Sequence, residues 1–233
     1  TLIATILSLC WLLLALGYAI GMHRLRDLVQ TRTLDIFLTH AHLDHVVGLT
    51  YLTGLLYDRQ MDRIRVHGEP EKLQAVDEHL FSPFLFPVRP RFAWCPLAEP
   101  VTLPDGGVVR WFPLRHPGGA VGYRIDWPDR SLAYVTDATA GPDASYLAEI
   151  RNVDVLVHEC FFPDGWEERA EFTGHSCLTP VTRLARQAGV GRLVLVHINP
   201  LAREADPFPA GVESVRDIFS ETLVAQDGML IEF

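Results

Sequence analysis

The chain reads as an α/β protein, and three observations predict that class. Apolar runs of strand length alternate with stretches that read as helices, the pattern of layered α/β folds. Several of those strands run straight into a ligand-type side chain: His40, His116, Asp137, His158 and His197. In such folds the C-terminal edge of the sheet is where sites are built. The third observation is size and composition. The chain has 233 residues, 48% of them hydrophobic, enough for a sizeable core and too apolar for a disordered chain.

The elements follow in order. Leu34 to Thr39 is a continuous apolar run, read as a buried strand although Asp35 interrupts it. Val46 to Leu56 reads as a helix packed on the sheet, and Ile64 to His67 as a short strand closed by Gly68. Pro70 to His79 reads as a helix with proline in its first turn. Phe81 to Pro87, with Pro90 and Phe92 behind it, cannot be a regular helix. It is either a packed surface loop, the stronger reading, or an aromatic wall. After the turn signal at Asp105-Gly106-Gly107 the chain changes to strands and tight turns. Val108 to Leu114 is a strand, and Gly122 to Trp127 with Ser131 to Thr136 is a hairpin about Pro128-Asp129. Val153 to Val157 and Leu193 to Val196 are two more strands. Between those two, Thr179 reads as an N-cap and Pro180 as the first helical position. The helix puts Val181, Leu184, Ala185 and Ala188 on one face and ends at Gly189. Val212 to Phe219 is a short helix, and Asp227-Gly228 marks a closing hairpin.

A formal net charge of −9 is a poor match for nonspecific nucleic-acid binding, which is dominated by phosphate contacts. Cys10, Cys95, Cys160 and Cys177 are scattered without CxxC spacing, which favours free thiols in a reducing, cytoplasmic setting. Residues 1–23 stand apart: they contain no Lys, Arg, Asp or Glu. Three readings are open for them. They are a membrane anchor (residues 1–22) or signal-like segment, a buried core element, or an aberrant stretch.

The densest chemical signal is Thr39-His40-Ala41-His42-Leu43-Asp44-His45. Imidazole and carboxylate together suit zinc and similar divalent ions. In an extended segment residues two apart point the same way, so His40 and His42 reach one metal. Asp44 and His45 follow as the chain turns and reach a second point nearby.

His40, His42, Asp44 and His45, then His116, Asp137 and His197 in that order, resemble the metal ligands of the metallo-β-lactamase superfamily, over roughly Leu34 to Phe233. The resemblance implies a four-layer αββα sandwich, here a single domain over 1–233, with the metals at one edge. It implies that His40, His42 and His116 hold one zinc, that Asp44, His45 and His197 hold a second, and that Asp137 bridges them. Manganese or iron also suits such a set. His158-Glu159-Cys160-Phe161 and Thr173-Gly174-His175-Ser176 resemble the paired motifs of ribonuclease Z and related phosphodiesterases. His116-Pro117-Gly118-Gly119 and Gly122-Tyr123-Arg124 resemble the loop and strand of that branch.

The implied function is a dinuclear zinc phosphodiesterase acting through a metal-activated water. The implied catalytic residues are Asp44 to orient that water, His175 to protonate the leaving group and Glu159 to hold His175. The implied substrate is a phosphodiester small molecule or an RNA 3′ end, and the homodimer is one oligomeric option. The alternatives are an ester, lactone or thioester hydrolase on the same metals, or a non-catalytic member of the superfamily. Two departures from the branch are visible. His116 and Asp137 lie only 21 positions apart, and no basic, Gly-rich insertion of the tRNA-clamping kind is evident. The Asp-Ala-Gly expected early in the family is replaced by Leu14-Ala15-Leu16-Gly17.

Overall fold

The computed structural model describes residues 11–14, 31–55, 60–199, 212–226, 229 and 231–233. The chain divides into two compact units: Thr1–Asp105 with Asp227–Glu232, and Gly106–Gln226 with Phe233.

The first unit is built on a parallel sheet in the order β1-β2-β3-β4. Its strands are β1 (Trp11–Leu14), β2 (Thr33–Phe37), β3 (Arg63–Gly68) and β4 (Ala93–Pro96). Alternation along β2 sorts its side chains. Leu34 and Ile36, with Leu38 beyond the strand, join Val66, Leu73, Val76 and Phe81 in one core. Asp35 and Phe37 take the opposite face, where both are fully buried. A buried carboxylate needs partners. Asp35 accepts hydrogen bonds from Arg65 Nε (2.5 Å) and His67 Nε2 (2.8 Å), and Phe37 stacks on the His67 ring at 4.4 Å.

The single helix expected over Val46 to Leu56 is broken into α1 (Leu43–Val46), a 3₁₀ turn (Val47–Tyr51) and α2 (Leu52–Leu55). Gly48, with β-branched Val46, Val47 and Thr50, is a weak helix former. The expected proline-led helix is present as α3 (Pro70–Ala75), which widens into a π-type turn over Val76–Leu80. Phe81 to Phe92 is a packed loop. Phe81 is buried and meets Phe86 and Phe92 edge to face, with centroids 5.0 and 5.4 Å away. Arg89 ties the loop down by donating to the Phe81 carbonyl and to Asp77. The two-residue strand β5 (Val101–Thr102) precedes the turn into the second unit.

Within the second unit the strand order is β11-β10-β9-β8-β7-β6. In chain order these are β6 (Val108–Leu114), β7 (Ala120–Asp126), β8 (Ser131–Val135), β9 (Val155–Glu159), β10 (Arg192–Val196) and β11 (Thr222–Val224). The predicted hairpin is present: β7 and β8 pair antiparallel from Asp126↔Ser131, and Trp127 N donates to the Arg130 carbonyl at 2.8 Å. From β8 through β11 the pairing is parallel. Two helices accompany it, α4 (Glu167–Thr173) and α5 (Leu178–Ala188). Val181, Leu184, Ala185 and Ala188 of α5 share a core with Leu156, Leu193 and Leu195 of the sheet.

Helix α5 starts earlier than the sequence suggests. Its N-cap is Cys177, and Pro180 sits at the third helical position, still inside the turn whose N–H groups need no intrahelical partner. Thr179 is not the cap but is itself capped. Its N–H and its hydroxyl both donate to the Asp164 carboxylate, at 2.7 and 2.6 Å. Residues 212–215 are helical, the first half of the short helix expected there. Asp227-Gly228 lies outside the described residues.

Of residues 1–23, the structure describes Trp11–Leu14 as a strand parallel to β2 in the register Trp11↔Leu34, and the others lie outside the described residues. Among the described residues no helix is long and apolar enough to cross a membrane. Cys95, Cys160 and Cys177 are free thiols, and Cys10 lies outside the described residues.

Candidate metal centre

In the first unit the predicted ligand loop leaves the end of β2. Leu38 N still donates to the His67 carbonyl, so the sheet holds the chain up to Thr39. The His42 carbonyl then accepts from His45 N (3.0 Å) and Val46 N (3.2 Å), which opens α1. That turn brings His45 back over His40. The His40 ring lies 4.5 Å from the His42 ring and 4.2 Å from the His45 ring, centroid to centroid. His40 and His45 are buried, whereas Asp44 is exposed, with its Oδ2 3.5 Å from His45 Nε2. Thr39 Oγ1 lies 3.1 Å from His40 Nδ1. His40, His42 and His45 are thus gathered, with Asp44 at their open side.

In the second unit four strand ends deliver His116, Asp137, Glu159 and His197, and His175 follows helix α4. His116 lies two residues past β6, in a turn closed by Gly119 N donating to the His116 carbonyl at 2.8 Å. His116 Nδ1 lies 3.2 Å from the Gly174 carbonyl, which can only accept. Nδ1 therefore carries the proton and Nε2 keeps the lone pair a metal needs. Gly174 is the residue that permits this contact. It has φ +77°, and a Cβ there would lie 2.8 Å from His116 Nδ1.

Asp137 follows β8 and His197 follows β10, both with left-handed backbones, φ 54° and 53°. Thr136 Oγ1 donates to Asp137 Oδ2 at 2.6 Å and fixes the carboxylate. Its Oδ1 faces three imidazoles: His116 Nε2 at 3.7 Å, His175 Nδ1 at 3.8 Å and His197 Nδ1 at 3.8 Å. These separations are too long for hydrogen bonds. They match donors on a shared ion, since two atoms each 2.0–2.2 Å from one metal can stand up to about 4 Å apart. Asp137, His175 and His197 in particular offer ligand atoms all within 4.8 Å of one another. The donor set therefore fits zinc or a similar ion.

Glu159 ends β9 and is fully buried. Its Oε1 accepts from Ala138 N (3.2 Å) and faces His175 Nδ1 (3.3 Å), while its Oε2 accepts from Phe161 N (3.0 Å). Burial pushes the carboxyl up to about 7, against the opposing pull of His175. The His175 ring stacks on Phe161, with centroids 4.7 Å apart.

His158, next to Glu159, is not part of this group. Its Nδ1 donates to the Glu159 carbonyl (2.7 Å) and its Nε2 accepts from the Tyr146 hydroxyl (2.8 Å). Burial lowers its pKa to about 4, so the ring is neutral and structural. Two supporting residues were given no role in the sequence reading. Ser176 Oγ donates to the Ala138 carbonyl (2.5 Å) and accepts from Ala140 N (2.8 Å), tying the loop after Asp137 to the residue after His175. Tyr146 is the other. A buried serine beside a motif histidine was the available signal for the first; nothing in the sequence marks the second.

A profile of the beta-lactamase superfamily domain matches residues 17–198 of this chain. The chain belongs to that superfamily. Its metallo-β-lactamase fold is shared with YhfI from Bacillus subtilis, at a TM-score of 0.72 and 18% identity, over 95% of this chain and 87% of that one. Among sequence relatives, a ribonuclease Z of Haloferax volcanii is 37% identical over 256 aligned positions, covering 84% of this chain and 78% of the relative. A ribonuclease Z of Prochlorococcus marinus is 28% identical over 220 positions, covering 93% of this chain. The chain spans 63% of that relative's length. Ribonuclease Z resemblance and superfamily membership thus agree with the motifs at Glu159 and His175.

Proposed function

We propose that the chain is a metal-dependent phosphodiesterase of the ribonuclease Z type. In this reading His40, His42 and His116 hold one metal, Asp44, His45 and His197 hold a second, and Asp137 is shared. Two zinc ions are the preferred occupants, and manganese or iron suits the same donors. The substrate is a phosphodiester small molecule or an RNA 3′ end. The observation that carries the reading is the Asp137 carboxylate facing three imidazole nitrogens beside the pair of His175 and a fully buried Glu159.

When bound, the metals supply a water acidified towards neutral pH and positive charge beside the phosphoryl oxygens. Asp44, exposed next to His45, orients that water as a hydrogen-bond acceptor. Glu159 fixes the His175 ring through Nδ1. Nε2–H is then the donor to the leaving oxygen, a role worth about 10²–10⁴-fold in rate. Phe161, stacked on the ring, holds its plane and keeps solvent from one face. His175 Nδ1 also stands within ligand range of Asp137, so its assignment needs a test that separates acid from ligand.

The experiment pairs bis-p-nitrophenyl phosphate, a tRNA precursor and a lactone on zinc-loaded protein with metal analysis. Turnover of a phosphodiester with the lactone untouched is the expected result, and lactone turnover alone overturns it. His175→Ala is expected to keep its zinc and lose most turnover. Loss of zinc from that variant would instead make His175 a ligand.

A further inference from the structure

Three side chains of the second unit meet in a combination that the proposed ligand set does not contain. Asp137, His175 and His197 offer ligand atoms all within 4.8 Å of one another. Asp137 Oδ1 stands 3.8 Å from His175 Nδ1 and 3.8 Å from His197 Nδ1. The His175 and His197 rings are 5.5 Å apart, and the Phe161 ring lies against both, at 4.7 and 5.4 Å, centroid to centroid. The side chains of Asp137, His175 and His197 are 3%, 15% and 9% exposed, so the group is largely screened from water and opens at His175.

Two imidazoles and one carboxylate are a complete protein donor set for a zinc ion that keeps a water in its fourth position. All three come from one unit, which also holds them in place. Thr136 Oγ1 fixes the Asp137 carboxylate (2.6 Å), Phe161 stacks on His175, and His197 follows directly on β10. This set competes with the role given to His175 above. His175 Nδ1 faces two groups, Glu159 Oε1 at 3.3 Å and Asp137 Oδ1 at 3.8 Å. An imidazole nitrogen has one position to offer, and it holds either a hydrogen or a metal. With a hydrogen there, Nδ1 donates to Glu159 and the ring is set for proton transfer. With a metal there, the bond to Glu159 is lost, the one remaining hydrogen sits on Nε2, and giving it up would leave an imidazolate.

We infer that Asp137, His175 and His197 form a mononuclear site for a divalent transition-metal ion, filled when metal is scarce, in which His175 is held out of catalysis. At full loading Asp137 and His197 serve the two proposed metals together with donors of the first unit, and His175 returns to Glu159. The chain is then silent with one ion and active with two, so metal supply acts as its switch. The silencing of turnover rests on the phosphodiesterase reading, whereas the site itself rests on the donor atoms of one unit.

Metal-free full chain is titrated with zinc while the ring-nitrogen NMR signals of His175 are followed, identified by their absence from His175→Ala. The first equivalent is expected to strip the hydrogen from Nδ1, and the second to restore it. In competition with a chelator, His175→Ala should bind its first equivalent at least about tenfold more weakly, while its zinc content at saturation stays that of wild type. His42→Ala, which alters only the proposed set, should bind its first equivalent as wild type does. His175→Gln replaces the alanine variant if that fails to fold. A His175 signal unmoved by the first equivalent, or a first equivalent that His42→Ala weakens as much as His175→Ala does, overturns the site. Turnover of bis-p-nitrophenyl phosphate is expected only beyond one equivalent, and full turnover at one equivalent overturns the silencing. The same zinc response with no turnover at any loading overturns the phosphodiesterase reading and leaves the site standing.

Discussion

Acid should destabilise this protein through His158, by an amount that can be worked out. The ring is fully buried, with Nδ1 donating to the Glu159 carbonyl and Nε2 accepting from Tyr146. Its pKa falls from 6.5 to about 4, because burial penalises the charged form more than the Glu159 carbonyl favours it. Between those two values the unfolded chain binds a proton that the folded chain does not. Stability therefore falls as pH falls through this window and levels off below about pH 4. Integrated from pH 7 to pH 5, the loss is about 2 kcal/mol, and its full extent is about 3 kcal/mol. Glu159 opposes it: a carboxyl raised to about 7 gains a proton on folding in the same range, which stabilises the acid side. The wild-type profile alone will thus look flat. The informative quantity is the difference between wild type and His158→Gln, in which groups common to both cancel. Urea unfolding at pH 7, 6 and 5 on metal-free protein should show wild type losing about 2 kcal/mol relative to the variant. Parallel profiles for the two proteins would refute the assignment of a neutral, buried ring.

Three further outcomes are expected. Gly174→Ala should push His116 out of place, since the new Cβ would meet Nδ1 at 2.8 Å; weaker zinc retention against a chelator and a loss of about 1 kcal/mol or more in stability would show it. Tyr146→Phe removes the donor to His158 Nε2 and should cost about 1–3 kcal/mol in denaturant unfolding, because a buried acceptor is left unmade. Asp137→Ala should lose at least one metal per chain by mass spectrometry, and a fully loaded, active variant would sink its role as the shared ligand.

The legible parts of the sequence were those with a local cause. The buried β2 run, the Pro128-Asp129 hairpin and the apolar face of α5 follow from alternation, turn chemistry and helical period. The ligand-type residues were legible because strand ends in such folds are places of known use. What was not legible depends on partners distant in the chain. Asp164 caps Thr179 from 15 positions away, so the start of α5 could not be read from its own residues. Asp35, an interruption in an otherwise apolar strand, is explained only by Arg65 and His67 across the sheet. Val46 to Leu56 carried a helical pattern, yet its glycine and branched residues left the outcome to tertiary packing.

The left-handed backbones at Asp137 and His197 also limit which metals this scaffold can be taught to prefer. Asp, Asn and His are the non-glycine residues that tolerate such φ values most readily. Softening the proposed donor set by exchanging His197 for Cys, or lengthening Asp137 to Glu, would therefore meet resistance from the main chain before any metal is offered. On the proposed ligand set, attempts to retune metal preference start at His40, His42 or His116, which are not among the non-glycine positions with positive φ.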